Sequence, residues 1–208
     1  MTADGSRDQL IATAASLCAE DGYARVKEEA IAVRAGVSLE ELEGLFPGGK
    51  EECALAAVDT ILAQGMAAVG EGYSADRSES ESVLIALRAL LDLFASRPAF
   101  ARLAFIDSRQ SMSPEALQRY QAGFSILNAM LDRLRSENKG SAEVPATAAR
   151  AAIGGGEALI RREIASGRAL ELPRLLPALV YAATAPFLGQ EEALQLTRQA
   201  GELLAEEF

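Results

Sequence analysis

The stretch Glu28–Phe46, EEAIAVRAGVSLEELEGLF, carries an apolar pattern that changes phase across one glycine. Ile31 and Ala35 stand four apart, as on one face of a helix, and Leu42 and Leu45 restart a stripe three apart. One helix cannot satisfy both phases, so the stretch reads as helix, tight turn, helix. Gly36 can take the positive φ of the turn, Val37 can fill the corner, and Ala32 is small where two helices would cross. Ser38, followed three residues later by Glu41, fits a capping box that starts the second helix.

On the N-terminal side, Leu10, Ile11, Ala14, Leu17 and Cys18 form one face of an amphipathic helix that Gly22 ends. On the other side, Pro47, Gly48 and Gly49 break the chain before a long fourth helix, Lys50 to about Gly72. The polar run Ser74–Ser82 reads as a loop. Val83–Ala95 follows as an internal helix, Ala99–Asp107 as a short one, and Ser113 with Pro114 opens a helix reaching about Arg135. After a loop at Ser136–Pro145, the segments Ala146–Ser166, Leu172–Leu188 and Gln190–Glu207 complete the pattern. No run of alternating β-branched residues occurs, so the spacing predicts an all-α fold of about nine or ten helices.

Composition narrows the chemistry. Half of the 208 residues are hydrophobic, enough for a real core, and 30 acidic against 20 basic residues leave a net charge of −10. That balance argues against general affinity for nucleic acid or anionic membranes, so any DNA binding must be local. There is no histidine, and the two cysteines, Cys18 and Cys53, fall on predicted core faces. That removes most metal and triad chemistry, and no catalytic residue, metal or cofactor is expected. The run IGGGE (Ile153–Glu157) lacks the strand and spacing of a phosphate loop. Ala148, Ala152 and Gly156, like Ala151 and Gly155, instead repeat at helical spacing and would let another helix approach closely. No membrane-spanning run or signal-peptide pattern is read in the sequence, which points to the cytoplasm.

At the helix-turn-helix residues the sequence resembles the tetracycline-repressor (TetR) family of transcriptional regulators. Upstream, RDQLIATAASLCAEDGYARV (Arg7–Val26) is similar to the family's first helix and its Gly-Tyr corner, at Gly22 and Tyr23. Downstream, LFPGGKEECALAAVD (Leu45–Asp59) resembles its Phe-x-x-x-Lys-Glu lead into the fourth helix, and Leu172–Ala193 gives a fainter C-terminal match. The resemblance implies a helix-turn-helix DNA-binding domain at 1–49 and a larger helical domain for ligand binding and dimerisation at 50–208. It implies a regulator, in the usual case a repressor, that binds operator DNA as a homodimer and is released by a small-molecule effector.

Carried over position by position, Lys27, Ser38, Leu39, Glu40, Glu43 and Lys50 are the expected DNA contacts. Phe94, Phe105, Ile106, Arg109, Tyr120, Phe124 and Met130 are the candidate ligand pocket, and Ala148, Ala152, Gly155, Leu175 and Leu179 the candidate dimer interface. The second helix departs from the family, because Glu43 stands where a tyrosine is expected and Glu40 and Glu41 accompany it. Between Met1 and Glu52 eleven acidic residues face five basic ones, a net charge of −6. Phosphate contacts supply much of DNA affinity. Operator binding is therefore expected to be weak or absent, and the alternative is a TetR-fold dimer that binds only a ligand or a protein.

Overall fold

The computed structural model describes residues 3–72, 77–110, 113–141, 143–145 and 147–205, and those residues contain helices and no strand. The all-α expectation is met. The helices fall into two compact units, Met1–Ala63 with Arg97–Ala122, and Gln64–Ser96 with Gly123–Phe208.

In the first unit, α1 (Ala3–Asp21), α2 (Glu28–Ala35), α3 (Leu39–Leu45) and the first half of α4 (Gly49–Gly72) surround a core that includes Leu10, Cys18, Ile31, Leu42, Phe46 and Cys53. Leu103 completes that core from the 97–122 segment, where α6 (Pro98–Arg102), a π-helical turn at Leu103–Asp107 and α7 (Ser108–Gln110) run on as one rod, and α8 (Pro114–Ala122) follows. The small helix-turn-helix core thus borrows apolar surface from residues far along the chain, and the compact units do not divide at residue 49. By length and composition α4 could cross a membrane. Its buried face, Cys53, Ala54, Ala57, Val58 and Ile61, identifies it as a core helix of this fold.

The second unit contains α5 (Glu79–Ser96), α9 (Ser125–Glu137), α10 (Thr147–Ala165), α11 (Leu176–Leu188) and α12 (Gln190–Ala205), with 3-10 turns at Lys139–Ser141 and Ala169–Leu175. Its core gathers Val69, Val83, Leu90, Met130, Leu131 and Phe187. Two expectations are corrected. The helix predicted from Ser113 to Arg135 is broken at Gly123 and Phe124, and α5 begins at Glu79, inside the predicted loop. Residues 74–76 of that loop, Ala146 and the last residues of the predicted final helix lie outside the described residues.

Candidate nucleic-acid interface and ligand cavity

The helix-turn-helix is built as its residues dictate. Gly36 ends α2 in the left-handed region at φ 72°, and its N–H donates to the carbonyls of Ala32 and Val33. Val37 N–H also donates to Ala32 O, at 3.1 Å, and Ser38 Oγ accepts from Glu41 N–H at 3.1 Å to cap α3. The inward face, Ile31, Ala32, Ala35 and Leu42, is buried. The outward face shows Glu29, Ser38, Glu40, Glu41 and Glu43 exposed, with Val33 79% and Leu39 36% exposed between them.

The cations of this region are mostly committed to the protein itself. Arg7 donates to Leu45 O at 2.9 Å and lies 4.2 Å above the Phe46 ring. Arg25 Nε donates to Asp21 O at 2.5 Å, and Arg34 pairs with Glu20 at 2.7 Å. The Lys50 ammonium donates to Tyr23 O at 3.1 Å and Val26 O at 3.0 Å and sits 4.4 Å from the centre of the Tyr23 ring. That placement revises its expected role: Lys50 ties the α1–α2 corner to the start of α4, and its charge is turned toward carbonyl oxygens. Among the described residues up to Glu52, exposed Lys27 is the one cation without such an engagement.

The start of α4 is likewise occupied. A helix N-terminus attracts anions through its unpaired N–H groups. Here Glu28 Oε1 accepts from Lys50 N–H at 2.9 Å and Glu52 Oε2 from Gly48 N–H at 2.8 Å. Both carboxylates thus satisfy backbone N–H groups at the start of α4.

Asp107 closes the π-helical turn as a buried polar group. It is 4% exposed, and its Oδ1 accepts a long bond, 3.5 Å, from Tyr23 N–H in the corner that Gly22 opens. Burial pushes its carboxyl above the usual range, against the opposing effects of the Tyr23 N–H and the Arg102 charge. Burial also pushes both the Cys18 and the Cys53 thiols up to about 12, in keeping with their place on core faces.

The residues expected to form one ligand pocket are distributed over both units. Phe105, Ile106 and Tyr120 are buried in the first, where the Phe105 and Tyr120 rings meet edge to face at 5.4 Å. Exposed Arg109 lies 5.9 Å from the centre of the Tyr120 ring. Phe94 packs against the core of the second unit. Of the seven, Phe124 and Met130 line a cavity of about 60 Å³ between α5, α9, α10 and α11. Its wall is otherwise apolar, including Val83, Leu87, Ile153 and Ile160, except for Glu157. The sequence held one signal for this site: Ile153, Gly156, Glu157 and Ile160 follow i, i+3, i+4, i+7, which sets an acid on an apolar helix face.

Two expected interface residues, Ala152 and Leu179, also line this cavity, and Leu179 is only 4% exposed. Gly156 explains the close approach of α10 and α11 within one chain, since a Cβ there would lie 3.2 Å from Leu179 Cδ2. Ala148 and Leu175 are half-buried. Gly155 points outward, with nothing within 4 Å of a Cβ built on it. It shares an exposed strip with Ala151, Gly154, Ala158 and Leu159 on α10, while Ala178, Tyr181 and Ala182 are exposed on α11.

The described residues thus combine a capped helix-turn-helix with a second helical unit that holds an apolar cavity. The fold is that of the TetR-family transcriptional regulators. A TetR-like regulator from Rhodococcus sp. RHA1 superposes with a TM-score of 0.72 at 22% identity, over 89% of this chain and 97% of that one. The fatty acid degradation regulator FadR from Bacillus halodurans gives 0.72 at 18%, over 88% and 99%. FadR from Bacillus subtilis, solved in complex with stearoyl-CoA, gives 0.68 at 18%, over 88% and 99%. No protein-family model matches the sequence, and no curated protein matches it.

Proposed function

We propose that the chain is a homodimeric, ligand-responsive transcriptional regulator of the TetR kind, acting in the cytoplasm as a repressor. The observation that carries this reading is the helix-turn-helix at Glu28–Leu45, complete in its left-handed glycine, its serine cap and its exposed outer face. The small-residue strip of α10 and the exposed face of α11 would meet their copies in a second subunit, as the family resemblance implies. Because α10 and α11 also wall the cavity, a molecule filling it bears on the helices that meet the partner. The ligand then favours a dimer whose recognition helices no longer match successive major grooves, and operator affinity falls.

A second reading keeps the dimer and the cavity without DNA. It is supported by the glutamates on the outer face and by the commitment of four of the five basic residues before Glu52 to partners within the chain. Selection from a random-sequence DNA duplex pool, run at low and at physiological salt with wild type and Glu43→Gln, separates the two. Enrichment of a two-fold symmetric sequence by either protein supports the regulator. No enrichment by either, at both salt concentrations, selects the second reading.

A further inference from the structure

The Tyr23 peptide, at the corner between α1 and α2, is gripped from both sides by distant residues. Gly22 opens the corner at φ 82°, the Lys50 ammonium donates to Tyr23 O at 3.1 Å, and Tyr23 N–H donates to Asp107 Oδ1 at 3.5 Å. The Asp107 grip is the weaker one. Its bond is long, its side chain is buried, and its second oxygen, Oδ2, is sealed from solvent without a hydrogen-bond partner. The groups around it do little to hold a charge there. From α1 the buried Cys18 thiol faces it, from α6 Arg102 acts on it through charge without a hydrogen bond, and on α7 the exposed Arg109 lies 5.9 Å from the centre of the Tyr120 ring. A buried carboxylate needs several donors, and a neutral carboxyl in the same place loses far less by lacking them.

We propose that Asp107 is a proton-operated latch on the α1–α2 corner: its neutral carboxyl holds the Tyr23 N–H, and its ionisation draws water to Oδ2 and releases the corner. The segment that carries the latch lies 84 residues along the chain from Tyr23, and what it releases is the lead into α2 of the helix-turn-helix. The proposal concerns how α2 is held, so it goes beyond both readings of the outer face and stands with either. The sequence leaves this role open for a carboxyl. There is no histidine, and the Cys18 and Cys53 thiols and the Tyr23 phenol are pushed up to about 12, so the groups that most often change charge near neutrality are missing or out of range. Burial raises Asp107 toward that window from an ordinary value of about 3.9. With the folded value raised, the latch is complete at acid pH and is lost as pH rises through that value.

Nuclear magnetic resonance of the full chain from about pH 4 to about pH 8 tests this, following the Asp107 side-chain carboxyl carbon, the Tyr23 amide shift and amide protection against hydrogen exchange. The Asp107 midpoint should lie above about 3.9, and the Tyr23 amide shift should titrate with the same midpoint. Across it, Tyr23 protection should fall about tenfold or more, while the amide of Leu131, in the core of the second unit, keeps its protection. In Asp107→Asn, which keeps an acceptor and cannot ionise, Tyr23 protection should stay constant over the same range. An Asp107 midpoint at or below the ordinary value overturns the proposal, as does a Tyr23 amide that keeps its protection while Asp107 titrates. A loss of Tyr23 protection that persists in Asp107→Asn, or that Leu131 shares, overturns it as well. Should Asp107→Asn fail to fold, the two midpoints and the Tyr23 and Leu131 protection in wild type still decide.

Discussion

Gly36 and Gly49 both hold a positive φ, 72° and 61°, but answer to different constraints. Nothing lies within 4 Å of a Cβ on Gly36, so Gly36→Ala should cost only the left-handed conformation, about 1 kcal/mol. A Cβ on Gly49 would fall 2.0 Å from Glu28 Oε1, the atom that caps Lys50 N–H. Gly49→Ala should therefore cost about 3 kcal/mol, strain and lost cap together, and urea unfolding of the two variants measures the difference. Asp107 gives a pH signature. Its folded pKa is raised by burial, so its contribution to stability is complete at acid pH and is lost as pH rises through the folded value. Asp107→Asn keeps an acceptor for Tyr23 N–H and removes that loss. The stability it gains over wild type should grow from pH 4 to pH 7 in denaturant titrations, and a gain independent of pH would contradict the assignment. The sequence made the Gly36 turn and the Ser38 cap readable because both are local. It could not show that Lys50 turns inward, since Tyr23 O and Val26 O reach it only through tertiary packing.

At the scale of the element, α10 has two faces that the sequence pattern could not tell apart. Ala152 and Gly156 belong to the inner one and Gly155 to the outer, although all three sit in one run of small residues. Small size announces close approach without saying whether the approaching helix is in the same chain. Gly155→Leu should leave the fold intact, because its side chain enters open space, and weaken the proposed dimer by about tenfold or more through blocked helix contact. Gly156→Leu should act instead on the chain itself, pressing against Leu179 Cδ2 and lowering the melting temperature. Light scattering across a concentration series, paired with thermal unfolding, distinguishes the two. A Gly155→Leu protein that dimerises like wild type would remove α10 from the proposed interface. The residues of the expected aromatic pocket separate for a related reason. Phe105, Tyr120, Phe124 and Met130 are close in sequence, and the break at Gly123 sends the first two into one compact unit and the last two into the other.

For the whole molecule, charge decides the outcome. A net −6 before residue 53 was countable from the sequence. The structure adds that Arg7, Arg25, Arg34 and Lys50 already have partners, which leaves Lys27 exposed. Operator binding by wild type should accordingly be confined to low ionic strength or be undetectable, and fluorescence anisotropy over a salt series would show it. Glu43→Gln, which removes a charge from the exposed face of α3, should strengthen binding several-fold and alter base preference. Nanomolar binding by wild type at physiological salt would contradict this account.

The π-helical turn at Leu103–Asp107 fits one residue more into its span than an α-helix would. In terms of chain length it behaves as a single-residue insertion absorbed without breaking the rod. Deleting Ala104 would return the ladder to regular α pitch while the residues beyond it keep their present register. Asp107 would then still face the Tyr23 amide. A one-residue deletion here should therefore be absorbed, whereas the same deletion within the regular turns of α1 or α5 would rotate the residues beyond it by about 100°.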